Sequence, residues 1–462
     1  MSLNVVIMAA GKGTRMRSAL PKVLHKLAGK PLLHHVLATT HELAPQQTVL
    51  ITGHGADAVE ASAAGPGREF ARQMPQLGTG HAVQQAVPLL DDAAATTLIL
   101  NGDVPLIAPA TARALAAASG GQALALLTVT LDDATGYGRI LRTADGTQVL
   151  GIVEHKDASE AQRGIREVYT GMMAAPTAAL KRWVMALDNK NAQGEFYLTD
   201  IVAMAVADGV PVVSASVSDD TEVLGVNSPA QLAELERRLQ RRQADAWLDA
   251  GVRLADPARF DQRGTLHCGT DVEIDINCIF EGTVTLGNEV RIGAHCVIRN
   301  AVIGDGVVIH PFTHIDGDKD GVQVGAGSLI GPFARLRPGA VLGTEVHIGN
   351  FVEVKNSQLA NGAKANHLAY LGDATVGERV NFGAGSITAN YDGANKHRTT
   401  IEADVHVGSN CVLIAPVTLG AGGTIGGGST IAKNTPPGQL TVARAKQVSL
   451  TGWQRPVKPP KA

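Results

Sequence analysis
The sequence predicts two folds in one chain: a doubly wound, Rossmann-like α/β domain and, after a linker helix, a left-handed parallel β-helix of hexapeptide repeats. The first observation is a period of six from residue 264 to 440, where large aliphatic residues recur in runs such as Val324 to Val354 and Val407 to Ile431. Neither a helix nor a strand has that period, so it indicates a solenoid. The second is an alternation of strand-like and helix-like segments before it. The third is the 52 glycines among 462 residues, which suit the turns of a solenoid better than an ordinary globular core.

Each coil of the β-helix is expected to be a triangle of three hexads. The aliphatic residues would stack inside, and Gly, Asn and Asp would turn the corners, because a positive φ costs these residues little. The domain is assigned to residues 251–462. Its Pro- and Lys-rich tail from Trp453 to Ala462 is expected to be poorly ordered.

Residues 1–227 are predicted to form the α/β domain, since the alternation of segments favours a parallel sheet covered by helices. The predicted strands are Val5–Ala9, Thr48–Thr52, Thr97–Leu100 and Ala123–Val129, and the clearest helices are Gly80–Leu90 and Pro109–Ala118.

Residues 228–250 are predicted to form the linker helix. Ser228 suits the N-cap and Pro229 the first helical position. Leucines recur near helical spacing and charged residues fill the other face. Four arginines on that face are interpreted as solvated rather than as a binding patch, namely Arg237, Arg238, Arg241 and Arg242.

Composition excludes several classes of function. The formal net charge of −3 gives no electrostatic reason to expect a nucleic acid or an anionic membrane as partner. No apolar run is long enough to span a bilayer, and the first residues lack the basic region and cleavage site of a signal peptide, so a cytoplasmic protein is expected. The four cysteines lack CxxC spacing and are expected to be buried free thiols: Cys268, Cys278, Cys296 and Cys411.

A glycine-rich loop directly follows the first predicted strand, with the sequence Ala-Ala-Gly-Lys-Gly-Thr-Arg over residues 9–15. Its backbone N–H groups could close on a phosphate, and its basic residues could neutralise one. The loop matches neither the ATPase P-loop nor the Rossmann fingerprint. Lys22 follows shortly after it. Asp103 follows another apolar strand, at the carboxyl end of the predicted sheet, where open α/β sheets bind ligands.

These residues resemble the sugar-nucleotide pyrophosphorylase family, whose AAGxGTRM and PK motifs are present here at residues 9–16 and 21–22. Further matches are residues 76–82 (QLGTGHA), 136–140 (GYGRI), 153–156 (VEHK) and 225–227 (GVN). With a hexapeptide solenoid C-terminal to it, nearly the whole chain resembles the bacterial bifunctional N-acetylglucosamine-1-phosphate uridyltransferase/glucosamine-1-phosphate acetyltransferases.

The resemblance implies a first site that joins UTP to N-acetylglucosamine 1-phosphate. Arg15 and Lys22 would contact the nucleotide phosphates, and Asp103 and Asn227 would hold Mg²⁺. The remaining implied contacts to UTP or the UDP-sugar come from Ala9, Ala10, Gly11, Gln73, Gly78, Thr79, Gly138, Glu154 and Tyr169. The family usually has Asn where Tyr169 stands, so the chain departs from the family pattern at a residue whose amide normally contacts the sugar or the ribose.

The hexad period breaks from about residue 356 to 400, and irregular coils of solenoids often carry function. His367 lies in this break, and a neutral imidazole suits the removal of a proton from an amine that attacks a thioester. The segments resemble the acetyltransferase half of the same family, which makes His367 the predicted general base, with Glu353 tuning it or lying nearby. The implied acceptor-sugar contacts are Arg337, Lys355, Tyr370, Asn381 and Lys396, and the implied acetyl-CoA contacts are Ala384, Asn390, Tyr391, Ser409, Gly427 and Arg444.

The resemblance also implies a homotrimer, because a single prism has flat faces. The predicted partners are otherwise small molecules: UTP, acetyl-CoA and the two sugar phosphates. Two alternatives stay open at this point. One is a single-activity sugar nucleotidyltransferase whose β-helix is structural or regulatory, and the other is a non-catalytic sugar-nucleotide-binding scaffold.

Overall fold
The structure is a computed structural model that describes residues 2–458, so residues 459–462 of the predicted tail lie outside it. The chain divides into two compact units, one ending at Leu239 and the other beginning at Gln240. Among the described residues, no helix combines the length and apolar character needed to cross a membrane.

The first unit is built on one nine-stranded sheet whose main order is β11-β7-β10-β6-β1-β4-β5. Its strands and those of a short hairpin are β1 (Leu3–Met8), β2 (Lys26–Leu27), β3 (Lys30–Pro31), β4 (Gln47–Thr52), β5 (Arg68–Arg72), β6 (Thr96–Asn101), β7 (Leu124–Thr130), β8 (Gly138–Arg142), β9 (Val149–Val153), β10 (Glu167–Pro176) and β11 (Val212–Ser216). The helices of the chain are α1 (Leu32–Leu43), α2 (Ala56–Ala63), α3 (Thr79–Ala86), α4 (Pro109–Ser119), α5 (Glu160–Arg163), α6 (Thr177–Met185), α7 (Ile201–Ala207) and α8 (Pro229–Asp249).

The doubly wound arrangement is confirmed by two separate cores on the two faces of this sheet. Val5 and Ile7 of β1 belong to the core that includes α1, α2 and α4, and Val6 belongs to the core that includes α3, α6 and α7. Alternate residues of a strand point to opposite faces, so β1 is buried on both.

The sheet is mixed, which corrects the prediction of a parallel one. β10 runs antiparallel to both of its neighbours, β6 and β7, and β8 and β9 form an antiparallel pair beside it. The alternation of segments fixes element types but carries no information on the direction of a strand that returns after a long connection. The predicted strands and helices themselves are present, each shifted by at most a few residues.

Helix α8 spans the predicted linker and contains the boundary between the units. Leu235 and Leu239 pack in a small core of the first unit, whereas Gln240 and Trp247 bond to Gln262 of the second. Two arginines of the predicted charged face form ion pairs: Arg238 contacts Asp220 and Glu234, and Arg241 contacts Asp245. This agrees with a solvated charged face.

The second unit is a β-helix of short parallel strands in two sheets. One sheet has eleven strands: Arg253–Leu254, Glu273–Ile274, Arg291–Ile292, Val308–Ile309, Leu329–Ile330, His347–Asn350, Lys364–His367, Asn381–Phe382, His406–Val407, Thr424–Ile425 and Leu440–Thr441. The other has sixteen: Phe260–Cys268, Cys278–Leu286, Val297–Ile303, His314–Asp316, Val322–Val324, Arg335–Leu336, Ala340–Leu342, Glu353–Lys355, Gln358–Leu359, Tyr370–Gly372, Ala374–Val376, Ile387–Ala389, Thr399–Ile401, Val412–Ile414, Val417–Leu419 and Thr430–Ile431.

The six-residue period corresponds to the inner face of this β-helix. Leu336 pairs with Val354 on the next coil, and Ile330 pairs with Ile348. All four are nearly fully buried in one continuous core. The cysteines are free thiols, as predicted, but Cys268 is only partly buried, whereas the other three are buried. Burial raises the pKa of Cys278 to about 12.

At one corner of the prism, the residues that turn the chain differ from the predicted types. Phe312, Phe333 and Phe351 have left-handed backbones with φ of 60°, 55° and 56°, where Gly, Asn or Asp was expected. Their rings stack on one another, with centroids 5.0 and 5.2 Å apart, and His295 extends the stack. Stacking of this kind offsets the cost of the left-handed backbone.

The irregular region is narrower than the sequence predicted. Strands and inter-coil pairs continue through residues 356–389, and the chain leaves the coil only at residues 390–398. The inward positions here include Ala363, Ala365, Ala369 and Ala374, all buried. The β-helix therefore continues through the residues where alanine takes the inward positions of the large aliphatic residues.

Candidate active sites
The first unit contains a cavity of about 310 Å³ at the carboxyl ends of β1 and β6. Ten of its lining residues were predicted from sequence or belong to the predicted motifs: Ala9, Ala10, Gly11, Lys22, Gln73, Gln76, Gly78, Thr79, Ala82 and Asp103. Segments that are far apart in sequence therefore meet at the edge of the sheet where a nucleotide was expected.

Gly78 has a structural reason to be glycine. Its φ is 111°, and a Cβ there would lie 2.5 Å from the carbonyl oxygen of Phe196. Its carbonyl accepts a hydrogen bond from Gln73 Nε2 at 2.9 Å, and the hydroxyl of Thr79 accepts one from the backbone N–H of Leu198 at 3.0 Å. These bonds fix the loop that lines the cavity.

The two predicted metal ligands lie together. Lys22 Nζ is 2.5 Å from Asp103 Oδ2 and 3.0 Å from Asn227 Oδ1, so one ammonium ion bridges the two oxygens. A carboxylate and an amide oxygen suit Mg²⁺, which commonly takes its other ligands from water and substrate phosphates. In the part of the chain from residue 2 to 458, no group of three or more His, Cys, Asp or Glu side chains is placed to hold a metal. The residues present fit an ion that depends on the phosphates of its substrate.

The three predicted sugar contacts form a second group. Gly138 of β8 pairs with Tyr169 of β10, and a Cβ at Gly138 would lie 3.7 Å from the carboxylate of Glu154. Burial raises the pKa of Glu154, opposed by a hydrogen bond that Thr199 Oγ1 donates to its Oε1 at 3.0 Å. Burial is the larger cause that raises the pKa of the Tyr169 phenol well above its usual value, and the negative charge of Glu154 is the smaller one.

The phenol of Tyr169 is buried and has no hydrogen-bond partner among the residues the structure describes. An unpaired buried hydroxyl is costly, so a partner from a bound ligand is a natural explanation. Arg15, by contrast, lies exposed on the short turn Thr14–Met16 and does not line the cavity.

In the second unit a groove of about 370 Å³ contains four predicted residues: His367, Asn381, Ala384 and Ser409. Three of these, with Gly427, form one column at a corner of the prism. The N–H of Gly385 donates to His367 O at 3.2 Å, that of Asn410 to Ala384 O at 2.8 Å, and that of Gly428 to Ser409 O at 2.8 Å. The column, defined by His367, Ala384, Ser409 and Gly427, thus takes one residue from each of four successive coils.

The column continues at both ends. Arg444 Nη1 donates to the carbonyl of Gly427 at 2.5 Å, which places a predicted acetyl-CoA contact beside another. At the other end, His367 Nδ1 lies 2.9 Å from Asn350 Oδ1, and these residues are register partners on adjacent coils. An amide oxygen only accepts, so in the neutral tautomer that fits this contact Nδ1 carries the proton and Nε2 has the lone pair.

A cluster of cations lies on the next corner, after the strand Tyr370–Gly372. Lys396, then burial and Arg337, lower the pKa of Lys355. Asp373 opposes this shift but does not cancel it. Arg337 is the least available of them, because its Nη1 contacts Glu353 Oε1 at 2.7 Å.

Three predicted contacts differ from their expected positions. Glu353 pairs with Arg337 rather than with His367. Asn390 Nδ2 donates to Asp373 Oδ2 at 2.5 Å and so braces the cation corner. Tyr391 is exposed, and its hydroxyl donates to Gly393 O at 2.6 Å within the 390–398 loop. Neither Asn390 nor Tyr391 lines the groove of His367.

Sequence reasoning missed several residues of both sites. The only sequence feature that could have pointed to Asn350 is its position one coil before His367. In the first unit, Asn101 and Glu195 line the nucleotide cavity and Thr199 holds Glu154. Gly171 (φ 87°) makes room for Asn101, because a Cβ there would lie 2.4 Å from its Nδ2. The segment that contains Glu195 and Thr199 has no motif, so only the fold reveals it.

Comparisons with known proteins agree with both units. Residues 5–251 match the model of the MobA-like NTP transferase domain, residues 263–359 match the GMPPB C-terminal domain, and residues 398–433 match the hexapeptide repeat of succinyl-transferase. A protein of Methylibium petroleiphilum named "Bifunctional protein GlmU" is 73% identical over 99% of each chain. Proteins of the same name from a Polaromonas species and from Paracidovorax citrulli are 68% and 67% identical, over 98% or more of each chain.

Fold, sites and domain matches together define a bifunctional transferase, with a nucleotidyltransferase unit and a hexapeptide-repeat acyltransferase unit. The chain belongs to the family of the bifunctional protein GlmU.

Proposed function
We propose that this chain makes UDP-N-acetylglucosamine in two steps. The β-helix transfers an acetyl group from acetyl-CoA to glucosamine 1-phosphate, and the α/β unit then joins N-acetylglucosamine 1-phosphate to UTP with release of pyrophosphate. The observation that carries this proposal is that each compact unit has its own cavity lined by several of the residues predicted for its reaction. A single-activity nucleotidyltransferase would not need the column of His367, Ala384, Ser409 and Gly427.

The test is to assay the two half-reactions separately, in the unsubstituted protein and in variants at Asp103 and His367. Each variant should lose one activity and keep the other. Failure of the unsubstituted protein to consume acetyl-CoA in the presence of glucosamine 1-phosphate would rule the proposal out.

In the α/β unit, a phosphate oxygen of the sugar phosphate attacks the α-phosphorus of UTP and pyrophosphate leaves in line. The reaction needs positioning and charge neutralisation more than a protein nucleophile. The loop of Gly11 and Lys22 holds the phosphates, and the Gly78 loop holds the base. Mg²⁺, when bound by Asp103 and Asn227, supplies further neutralisation of phosphate charge.

Glu154 and Tyr169 hold the acetylated sugar in this scheme. Tyr169→Phe is expected to raise the KM for N-acetylglucosamine 1-phosphate by about 3- to 10-fold, the worth of one hydrogen bond. The same change should leave the free energy of unfolding equal or slightly higher, because it removes a buried hydroxyl without a partner. Steady-state kinetics and urea denaturation measure the two effects. An unchanged KM would show that the phenol does not contact the sugar.

In the β-helix unit, His367 Nε2 accepts a proton from the amine as that amine attacks the thioester carbonyl. The bond from Nδ1–H to Asn350 keeps the imidazole in the tautomer that this step requires. A backbone N–H at Ala384, next to His367 in the column, would stabilise the oxyanion that develops. The thiolate of coenzyme A is the leaving group.

The cations at the neighbouring corner hold the phosphate of glucosamine 1-phosphate. Lys355→Ala is expected to raise the KM for this substrate by about 10- to 100-fold with little change in kcat, because a charged hydrogen bond is lost. The lowered pKa of Lys355 means that the free protein loses this charge at a lower pH than an ordinary lysine would. The affinity for the sugar phosphate should therefore fall as pH rises through that lowered value.

The measurement is kcat/KM for glucosamine 1-phosphate as a function of pH. In Lys355→Ala, the part of the decrease in kcat/KM at alkaline pH that Lys355 causes should be absent. Lys319→Ala removes the same charge from an exposed turn of the β-helix and serves as the control. A Lys355→Ala profile that matches the control would contradict the role.

We also propose the homotrimer, the cytoplasmic location and the division into residues 1–227, 228–250 and 251–462. Support for association is the exposed apolar corner of Phe312, Phe333, Phe351 and Leu368, each about half or more exposed in the single chain. An apolar strip of this kind marks a surface that a second molecule covers.

A further inference from the structure
Lys22 occupies the place between the two proposed metal ligands. Its ammonium contacts Asp103 Oδ2 at 2.5 Å and Asn227 Oδ1 at 3.0 Å. The side chains of Lys22 and Asp103 are only 12% and 20% exposed. The ammonium therefore satisfies both oxygens in a place largely shielded from water.

The backbones of Asp103 and Asn227 are held independently of Lys22. The N–H of Val226 donates to the backbone carbonyl of Asp103 at 2.9 Å, which ties the two segments together. The N–H of Asn227 donates to Gln231 Oε1 at 2.8 Å, which fixes Asn227 at the start of α8. The flexible partner is the four-carbon stem of Lys22.

A divalent cation and the Lys22 ammonium cannot share these oxygens, because two positive charges at such a distance repel strongly where water is excluded. Lys22 also lines the nucleotide cavity, so the phosphates of a bound nucleotide are within the same cavity and offer the ammonium another anion. Its departure would free both oxygens.

We propose that Lys22 is a plug that keeps divalent cations off Asp103 and Asn227 until a nucleotide draws it away. This inference rests on the proposed function, since it takes the metal site from there. It adds that the cation and the nucleotide bind with positive coupling. By linkage, each then raises the affinity for the other.

The test measures Mn²⁺ binding to the full-length protein without nucleotide, by the electron paramagnetic resonance signal of the free ion. Lys22→Met keeps the apolar stem and removes the charge. It should bind Mn²⁺ at least about ten-fold more tightly than the unsubstituted protein, because the competing ammonium is gone. Lys22→Gln is a second variant should the first not fold, as judged by circular dichroism.

Lys26→Met is the matched control, because Lys26 is an exposed lysine of the same segment and its loss changes the net charge equally. It should bind Mn²⁺ like the unsubstituted protein. Equal affinity of Lys22→Met and Lys26→Met would overturn the plug.

A further Asp103→Asn substitution in the Lys22→Met background identifies the site. Loss of the added affinity would support the plug at this pair of oxygens. If the added affinity survives, the ion binds elsewhere, and the metal assignment of the proposed function fails together with the plug. If Lys22→Met does not bind Mn²⁺ more tightly but Asp103→Asn alone still weakens Mn²⁺ binding, the plug is wrong and the metal assignment stands.

Discussion
Replacing His367 with alanine is expected to lower kcat for acetyl transfer by about 10²- to 10⁴-fold, the usual contribution of a general base. The reason is that His367 Nε2 is the group left free to accept the proton of the amine, while Nδ1 is committed to Asn350 at 2.9 Å. Uridylyl transfer should be unchanged, because its cavity lies in the other compact unit. The measurement is the release of the coenzyme A thiol, with pyrophosphate release assayed in parallel.

His314→Ala is the matched control, since His314 begins a strand of the same β-helix and its side chain faces solvent. It should keep both activities. A His367→Ala protein with normal thiol release would remove His367 as the base, and loss of both activities would point to a folding defect instead.

Replacing Asp103 with asparagine is expected to lower uridylyl transfer and to spare acetyl transfer, the reverse of the His367→Ala result. Uridylyl transfer should fall by about 10²- to 10⁴-fold, because a metal that stabilises phosphoryl charge is worth several kcal/mol. Asparagine keeps the shape of the side chain and one oxygen, but it removes the negative charge that a cation requires. Acetyl transfer should be unchanged, and raising the Mg²⁺ concentration should recover part of the lost activity.

Asp92→Asn provides the comparison, because Asp92 is 86% exposed and its ion pair with Lys181 lies at the surface. Such pairs contribute little, so both activities should persist. Normal pyrophosphate release by the Asp103→Asn protein would exclude Asp103 from the reaction.

Much of the fold follows from the sequence because two periodicities are unambiguous. The period of six places aliphatic residues such as Leu336 and Val354 in register on successive coils. The strand and helix alternation locates the sheet of the first unit to within a few residues. This alternation does not predict the direction of β10, because that direction depends on where a long connection returns in space.

The candidate sites were predictable where motifs are local. The phosphate loop and the Gly78 segment lie in the same cavity, as the sequence suggested. The limits of the β-helix irregularity were wrong because Ala365 and Ala374 fill inward positions and hide the repeat. Glu353 was predicted to tune His367 or lie nearby, and its carboxylate pairs with Arg337. The coil instead brings Asn350 into register with His367.

The column of His367, Ala384, Ser409 and Gly427 has a consequence for the length of the acyl donor. Neighbouring parallel strands are spaced by about 4.8 Å, so three steps along the column cover roughly 14 Å. The backbone of the prism thus sets a fixed series of spacings beside the imidazole that we propose as the base. If the donor binds along the column as proposed, a donor whose arm spans that distance would contact each of the four coils. A truncated thioester would reach the base but lack the contacts with the more distant coils.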